Sequence, residues 1–269
     1  MRDRGPQKPD DEMVWLGAKA PPWIGGAGLK PTPLLSIIVP AFNEEAYLPR
    51  TLQCVREAAD RVEGEAQVIV VDNASTDATA DIARGLGAQV VAESRQGVAF
   101  ARNAGGRAAR APLLVWVDTD TAIPGDLLRR IVDGCGDPRV VGGGVETRHR
   151  PRRAPIALWL TLWRLGSRSL RMVQGSVQFC RRSAFEELGG YDERLFMGED
   201  VDFAWRLQRL AHRTGGRFVL IRDPPVEPSA RRWDQWSLGK ILFWTNPLVI
   251  AALRRRRDVW RGWYVDPPR

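Results

Sequence analysis

From residue 34 onward, short apolar runs alternate with stretches of helical period. LLSIIVP at 34–40 predicts a strand, and 45–60 a helix in which Pro49 is tolerated because it falls in the first turn. QVIVVDN at 67–73 predicts a second strand, and STDATADIARGL at 75–86 a helix opened by a Ser/Thr/Asp cap. AQVVAES at 88–94 is a third strand, GVAFARNAGGRAA at 97–109 a third helix, PLLVWVD at 112–118 a fourth strand, and a further helix starts near Pro124. Continuous Val/Ile-rich strands separated by helices predict an α/β fold, a parallel sheet covered on both faces. Its crossovers are right-handed, and its ligand site lies beyond the carboxyl ends of the strands. After about residue 140 the alternation decays. Strands are expected at 140–148 and 175–182, and helices at 155–172 and 199–212, as a second half of the same domain.

Composition narrows the partners. The 269 residues are 44% hydrophobic, enough for a full core, and the net charge of +8 comes mostly from Arg. Such a balance favours nucleic acid, phosphorylated small molecules or an anionic membrane surface. Cys54, Cys135 and Cys180 stand far apart without a CxxC pair, which fits a reducing compartment and predicts neither disulfides nor zinc. Residues 1–33 lack an apolar signal core and read as a flexible tail. The longest later apolar run, 241–253, is short for a bilayer span and contains Pro247.

The candidate chemistry gathers at one edge. Asp72 ends the second strand, Asp118 ends the fourth, and Asp120 follows just beyond. Asp118 and Asp120 suit a hard divalent cation, Mg²⁺ or Mn²⁺; the competing reading is an acidic turn in which Asp120 caps the next helix. Asp72, followed by Asn73 and Ser75, serves either turn chemistry or a nucleobase or ribose. The first turn, PAFNEE, has no GxGxxG, which disfavours a dinucleotide. Asp200, Ala204, Leu207 and Ala211 recur at helical spacing, so Asp200 shares the inward stripe of its helix. It is a cap or a general base, with Glu199 adjacent, and the helix dipole is expected to lower its pKa. His149 and His212 have no catalytic context and are expected at the surface; the cysteines are expected in the core.

Taken in order, SIIVPAFNEEAYL, VIVVDNASTDAT, ARNAG, VDTD and GGYDE…GEDVDFAWRL resemble the family 2 glycosyltransferases over about residues 34–212. The resemblance implies a GT-A-type nucleotide-sugar-binding fold, with a mainly parallel central sheet and helices on both faces. It implies inverting, metal-assisted transfer of one sugar from a nucleotide-diphospho-sugar by direct attack of an acceptor hydroxyl. By position, Pro40, Ala41, Phe42 and Glu44 border the nucleotide, Asp72 binds its base, and Arg102 lies near the base or diphosphate. Asp118 faces the ribose and metal, Asp120 ligates the metal, and Asp200 is the base, with Glu199 supporting it or positioning the acceptor. The Q-x-x-R-W motif of processive synthases is absent; SARRWDQW stands near that place, with Arg231, Arg232 or Trp233 expected over the diphosphate. A domain at 34–235 follows, with a nucleotide-binding half at 34–135, an acceptor-facing half at 136–235, and an Arg/Trp-rich amphipathic segment at 236–269.

Two alternatives remain at this stage. A sugar nucleotidyltransferase shares strand-end Asp ligands, and the basic charge admits a nucleic-acid binder, though no nucleic-acid module appears. Finally, Arg164, Arg168 and Arg171 share a helical face beside Leu158, Leu162, Leu165 and Met172, with Trp159 and Trp163 at i, i+4. Downstream, an apolar stretch meets Arg254, Arg255, Arg256 and Arg257 and then Trp260, Trp263 and Tyr264. These faces read either as core helices with solvated rims or as segments lying in a membrane interface. The second reading puts a cytoplasmic enzyme peripherally on the inner membrane face, acting on a lipid or lipid-linked acceptor.

Overall fold

A computed structural model describes residues 32–169 and 171–264. The expected tail at 1–33 lies almost wholly outside them. The first half alternates as its pattern predicts: β1 Leu35–Ala41, α1 Leu48–Ala59, β2 Ala66–Asp72, α2 Thr79–Gly85, β3 Gln89–Ala92, α3 Val98–Ala108 and β4 Leu113–Val117. The chain continues through β5 Thr121–Ala122, α4 Leu127–Gly134, β6 Val140–Thr147, α5 Ala154–Ser169, β7 Val177–Arg181, α6 Arg182–Leu188, α7 Glu199–Arg213 and β8 Arg217–Pro228. Four short helices follow: α8 Arg231–Gln235, α9 Leu238–Trp244, α10 Pro247–Leu253 and α11 Arg257–Tyr264.

The eight strands form one sheet in the order β3-β2-β1-β4-β7-β6-β8-β5. Pairing is parallel through β3-β2-β1-β4, then antiparallel from β4 to β7 and from β7 to β6, so the parallel set ends where the sequence alternation decays. Register aligns Ala41 with Asp72 and Ile38 with Trp116, which brings the ends of β1, β2 and β4 to one edge.

Helices cover both faces. On one, Leu48, Leu52 and Val55 of α1 and Leu127, Leu128 and Ile131 of α4 pack on the β1 and β4 side chains. On the other, α3, α6 and α7 close over Ile38, Ile69 and Trp116. There Tyr191 and Phe203 stack at 4.1 Å, and Trp116 meets both edge-on. Aromatic burial of this kind dominates core energetics.

Two helices begin later than their sequence pattern. Before α1, Asn43 has φ 52°, and the Glu44 amide donates to Thr79 Oγ1 at 2.8 Å, so the backbone turns before it coils. Before α2, the Asp77 carboxylate accepts from the Thr79 amide at 3.0 Å, a local bond that competes with the helix. No element was expected over 217–228 or 183–188, where β8 and all but the first residue of α6 form. Pro224 and Pro225 hide β8 from a pattern reading, because proline gives no ladder donor. β8 forms beside β6, a long-range partner invisible to local propensity.

The C-terminal helices fold back on α5. Ile156 packs with Trp233, Trp236 and Ile241, and Trp159 and Trp163 donate to Thr245 Oγ1 (3.1 Å) and the Thr245 carbonyl (3.0 Å). Trp260, expected at an interface, is instead fully buried, 4.6 Å from Trp244, and donates to the Leu253 carbonyl at 2.7 Å. The Trp263 and Tyr264 side chains lie outside the described set.

Candidate functional site

At the carboxyl edge of the parallel strands opens a cavity of about 1660 Å³. Its sheet-side wall contains Pro40, Phe42, Glu44, Asn73, Asp118 and Asp120; the opposite wall contains Glu199, Asp200, His149, Gln174 and side chains of α5 and α10.

Two sequence candidates do not line it. Ala41 is buried in the core, and the Asp72 carboxylate accepts from the Ser75 amide at 3.0 Å. Asn73 lines the cavity instead. Its amide donates to the Glu93 and Arg95 carbonyls (3.0 and 2.8 Å), and its oxygen accepts from the Gly97 amide (2.8 Å), tying β2 to the start of α3. Asp72 draws attention in the sequence because it is charged, whereas the neutral Asn73 gives no such signal.

The strand-end carboxylates are positioned by backbone. The Asp118 amide donates to the Ser176 carbonyl at 3.0 Å, and the Ser229 amide donates to the Asp120 carbonyl at 2.9 Å. Between them Thr119 is buried, its hydroxyl donating to the Pro40 carbonyl while its carbonyl accepts from Thr51. This anchoring turns both carboxylates toward one space. Burial pushes the Asp120 carboxyl up to about 6, although Arg232 and Arg231 pull it downward. Arg231 grips Glu44 with two nitrogens, lies 3.5 Å from Asp120 and sits 4.3 Å over the Tyr47 ring.

Arg102 joins the two walls. It is 3% exposed, donates to Asp118 at 2.9 Å, to Glu199 at 3.0 Å and to the Gly175 carbonyl at 3.3 Å. Burial opposes its charge, yet Asp118 and Glu199 hold it firmly protonated. Arg102, expected near the base or diphosphate, lines the cavity with its guanidinium committed to two carboxylates and the Gly175 carbonyl.

Asp200 opens α7. Its Oδ2 accepts from the Gly175 amide at 2.6 Å and its Oδ1 from the Val201 amide at 2.8 Å. The expected lowering of its pKa is reversed. Burial raises it, outweighing Arg102 and both amide donors. Desolvation of a half-buried carboxylate in the cavity wall exceeds what a helix end supplies. Glu199 is raised as well, first by burial and then by the neighbouring Asp200 charge, with Arg102 opposing.

His149 corrects a second expectation. It lines the cavity, with Nδ1 accepting from Trp233 Nε1 at 3.1 Å, and burial lowers its pKa to about 4. His212 is exposed, and Cys135 and Cys180 are buried, as expected. The basic face of α5 is not free, since Arg164 and Arg168 both reach Glu146. Leu158, Leu162 and Leu165 on α5 are nevertheless exposed, as are Leu242, Phe243 and Leu248 on α9 and α10, the last by 80%. Among the described residues no helix is long and apolar enough to cross a membrane.

Asp118 and Asp120 offer hard oxygen donors, and the desolvated Asp120 gains most from a positive partner. Among the described residues no three His, Cys, Asp or Glu side chains form a metal-holding group, so this pair fits a cation that draws its remaining ligands from phosphate oxygens and water.

Residues 36–189 match the family described as Glycosyl transferase family 2. An uncharacterized glycosyltransferase of Mycobacterium tuberculosis is 31% identical over 198 residues, 68% of this chain and 88% of that protein. The beta-monoglucosyldiacylglycerol synthase of Synechocystis is 27% identical, over 93% of this chain and 54% of its own. Among solved structures, a mannosyltransferase from Pyrobaculum calidifontis in complex with GDP-mannose and Mn²⁺ superposes with TM-score 0.59 at 24% identity, over 78% of this chain and 60% of that one. Glucosyl-3-phosphoglycerate synthase from Mycobacterium tuberculosis, in complex with Mn²⁺, UDP and glucosyl-3-phosphoglycerate, gives TM-score 0.58 at 18% identity, covering 83% and 80%.

Proposed function

The chain belongs to glycosyl transferase family 2, and from that premise we propose that it moves one sugar from a nucleotide-diphospho-sugar to an acceptor hydroxyl, with inversion. Family membership displaces the nucleotidyltransferase and nucleic-acid-binding alternatives. One observation carries the proposal: two strand-end carboxylates and the Asp200 carboxylate face the same cavity, joined by Arg102 and Gly175.

In this reading Pro40, Phe42 and Asn73 border the nucleotide, and Asp118 and Asp120 hold Mg²⁺ or Mn²⁺. A cation held by these two carboxylates would supply positive charge to the diphosphate leaving group. Asp200 accepts the proton of the acceptor hydroxyl as that oxygen attacks the anomeric carbon. Its raised pKa suits a base near neutral pH, because proton-transfer driving force grows as pKa approaches the working pH. The Gly175 and Val201 amides fix one oxygen each and hold the carboxylate in orientation. Arg102 spaces Asp118 from Glu199 and keeps Glu199 from repelling the base.

The acceptor in this reading is a lipid or lipid-linked hydroxyl presented at an anionic membrane surface. Exposed Leu158, Leu162, Leu242, Phe243 and Leu248 support it, since contiguous apolar side chains on surface helices mark interaction sites. So does the cavity wall of Leu160, Trp163, Ile250 and Ala251, which belongs to the same helices. The Synechocystis relative is named for a diacylglycerol product.

The test is a thermal-shift screen with UDP, GDP, UDP-glucose and GDP-mannose, with and without Mn²⁺, followed by nucleotide-release assays. A true donor raises the melting temperature by mass action, and more so with metal. If no nucleotide shifts the transition, the donor assignment fails. Sedimentation with anionic liposomes tests the acceptor side, and protein left in the supernatant at low salt removes the membrane.

A further inference from the structure

Gln178 is a buried polar residue in the apolar strand β7. Its neighbours Val177 and Phe179 and the next residue on its own face, Cys180, all belong to the core. A buried amide costs stability unless its hydrogen bonds are made. Here they are made. Nε2 donates to the Asp200 carbonyl at 2.9 Å and to the Val173 carbonyl at 3.5 Å, and Oε1 accepts from the Tyr191 hydroxyl at 2.9 Å. The two carbonyls demand the nitrogen and so fix the amide's orientation, leaving its oxygen for the phenol. Tyr191 is itself held. Its amide donates to Asn103 Oδ1 at 2.8 Å, and Asn103 Nδ2 donates to its carbonyl at 2.9 Å. Its ring stacks on Phe203 and lies 5.3 Å from the Arg102 guanidinium. Burial raises the pKa of the phenol, so the proton it donates stays in place. Asp200 is thereby attached to one stretch of chain at two points: the Gly175 amide takes its carboxylate at 2.6 Å, and Gln178 takes its main-chain carbonyl. Within the same stretch the Ser176 carbonyl accepts from the Asp118 amide, and Gln178 pairs with Trp116 in the β4–β7 register. Residues 175–178 therefore tie Asp200 to the strand end that carries Asp118.

We propose that Gln178 is a positioning residue, a buried amide behind the cavity wall that fixes the main chain of Asp200 while Tyr191 fixes the amide. This rests on the glycosyl-transfer reading for the part Asp200 plays, not for the link itself. A carboxylate held only at its oxygen can follow a shifting backbone by turning its side chain. With the carbonyl held as well, backbone and side chain are both set against one strand. Such a link gives the accuracy that catalysis needs, since misplacement by about 1 Å costs up to about 10²-fold. An amide suits the place because it adds no charge to a cluster in which Arg102 already bridges Asp118 and Glu199.

The experiment separates stability from position. Gln178→Leu keeps the volume and loses the amide; Tyr191→Phe keeps the ring against Arg102 and loses only the hydroxyl. Tyr191→Phe strands the amide oxygen and Gln178→Leu strands the phenol, and each lowers the melting temperature by about 2–10 °C. The double variant strands neither and melts above both singles, because replacing both partners of a hydrogen bond costs less than replacing one. Exchange of the Gly175 amide, followed by NMR, quickens in Gln178→Leu and in the double variant beyond what the change in global stability accounts for. Exchange at Gly175 that merely tracks global stability overturns the proposal without any assay of turnover.

Turnover is read with Mn²⁺ as UDP release from UDP-glucose and GDP release from GDP-mannose, water taking the acceptor's place. Gln178→Leu lowers kcat by between about tenfold and 10²-fold, with KM for donor within about twofold. Tyr191→Phe lowers kcat less, since the amide keeps its bond to Asp200. In the double variant stability recovers and kcat does not, remaining at the Gln178→Leu level. Recovery of kcat together with stability, or a loss confined to KM, reduces Gln178 to a core residue and overturns the proposal. If the wild-type protein releases neither nucleotide, the glycosyl-transfer reading fails while exchange at Gly175 still decides the link.

Discussion

On the sheet side of the cavity, Asp118 and Asp120 are held by strand ends whose hydrogen bonds run backbone to backbone. On the opposite side, Asp200 and Glu199 start a helix and depend on single side-chain contacts: an amide from Gly175, a guanidinium from Arg102, and the Gln178 amide on the Asp200 carbonyl at 2.9 Å. The two walls therefore differ in how their charge is carried. A strand end tolerates a changed neighbour, because the ladder still sets its course. A carboxylate hung from a loop amide, as Asp200 is from Gly175, or from one arginine, as Glu199 is from Arg102, moves when that partner moves. Substitutions in the sheet wall should accordingly act on nucleotide and metal affinity, and those in the helix wall on turnover.

The sharpest break in this comparison comes from Asp120→Ala. Metal-dependent nucleotide affinity should disappear while the melting temperature holds, since the variant removes a desolvated charge and leaves Arg231 paired to Glu44. Turnover that persists at saturating Mn²⁺ argues against the metal role. Next in size, Asp200→Asn should lower kcat by about 10²-fold or more, with nucleotide affinity nearly unchanged. If Glu199→Gln proves the more damaged protein, the two carboxylates exchange roles.

Gly175→Ala tests how tightly the helix wall is built. An added Cβ meets Asp200 Cβ at 2.6 Å and an Arg102 nitrogen at 2.7 Å. Overpacking of that kind costs about 1–3 kcal/mol, read by denaturant unfolding, and turnover should drop with it.

A pH series sharpens the same contrast. Asp200 has a raised pKa, so turnover should fall on acidification at a pH above the ordinary aspartate value of 3.8. Stability runs the other way. Asp120 binds its proton more tightly folded, at about 6, than unfolded, so its contribution declines as pH rises from 3.8 through about 6. Wild-type protein should therefore gain stability relative to Asp120→Asn as pH is lowered through that window, measured by chemical denaturation. The smallest effect on the fold belongs to Leu248→Gln, within about 0.5 kcal/mol for a surface site. Its liposome binding should nevertheless weaken, because that side chain is 80% exposed.

Local pattern carried the first half of the chain. β1 to β4 and the helices between them follow from apolar runs of strand length and helical spacing, because in a parallel sheet buried on both faces each element advertises its own burial. Asp118 and Asp120 were legible for the same reason, being the first charges after a five-residue apolar strand. Ala41 and Asp72 show the limit. Sequence places them at the strand ends, but one residue decides whether a side chain lines the cavity, and Asn73 lines it where Asp72 does not. Beyond residue 140 only tertiary contacts decide. β8 forms on β6 despite its prolines, Trp260 is drawn into the interior by Trp244, and His149 accepts a hydrogen bond from a tryptophan 84 residues away. The Asp200 pKa belongs to the same class: helix position is written in the sequence and argues downward, while burial, which raises it, exists only once α7, Arg102 and the Gly175 segment have closed around it.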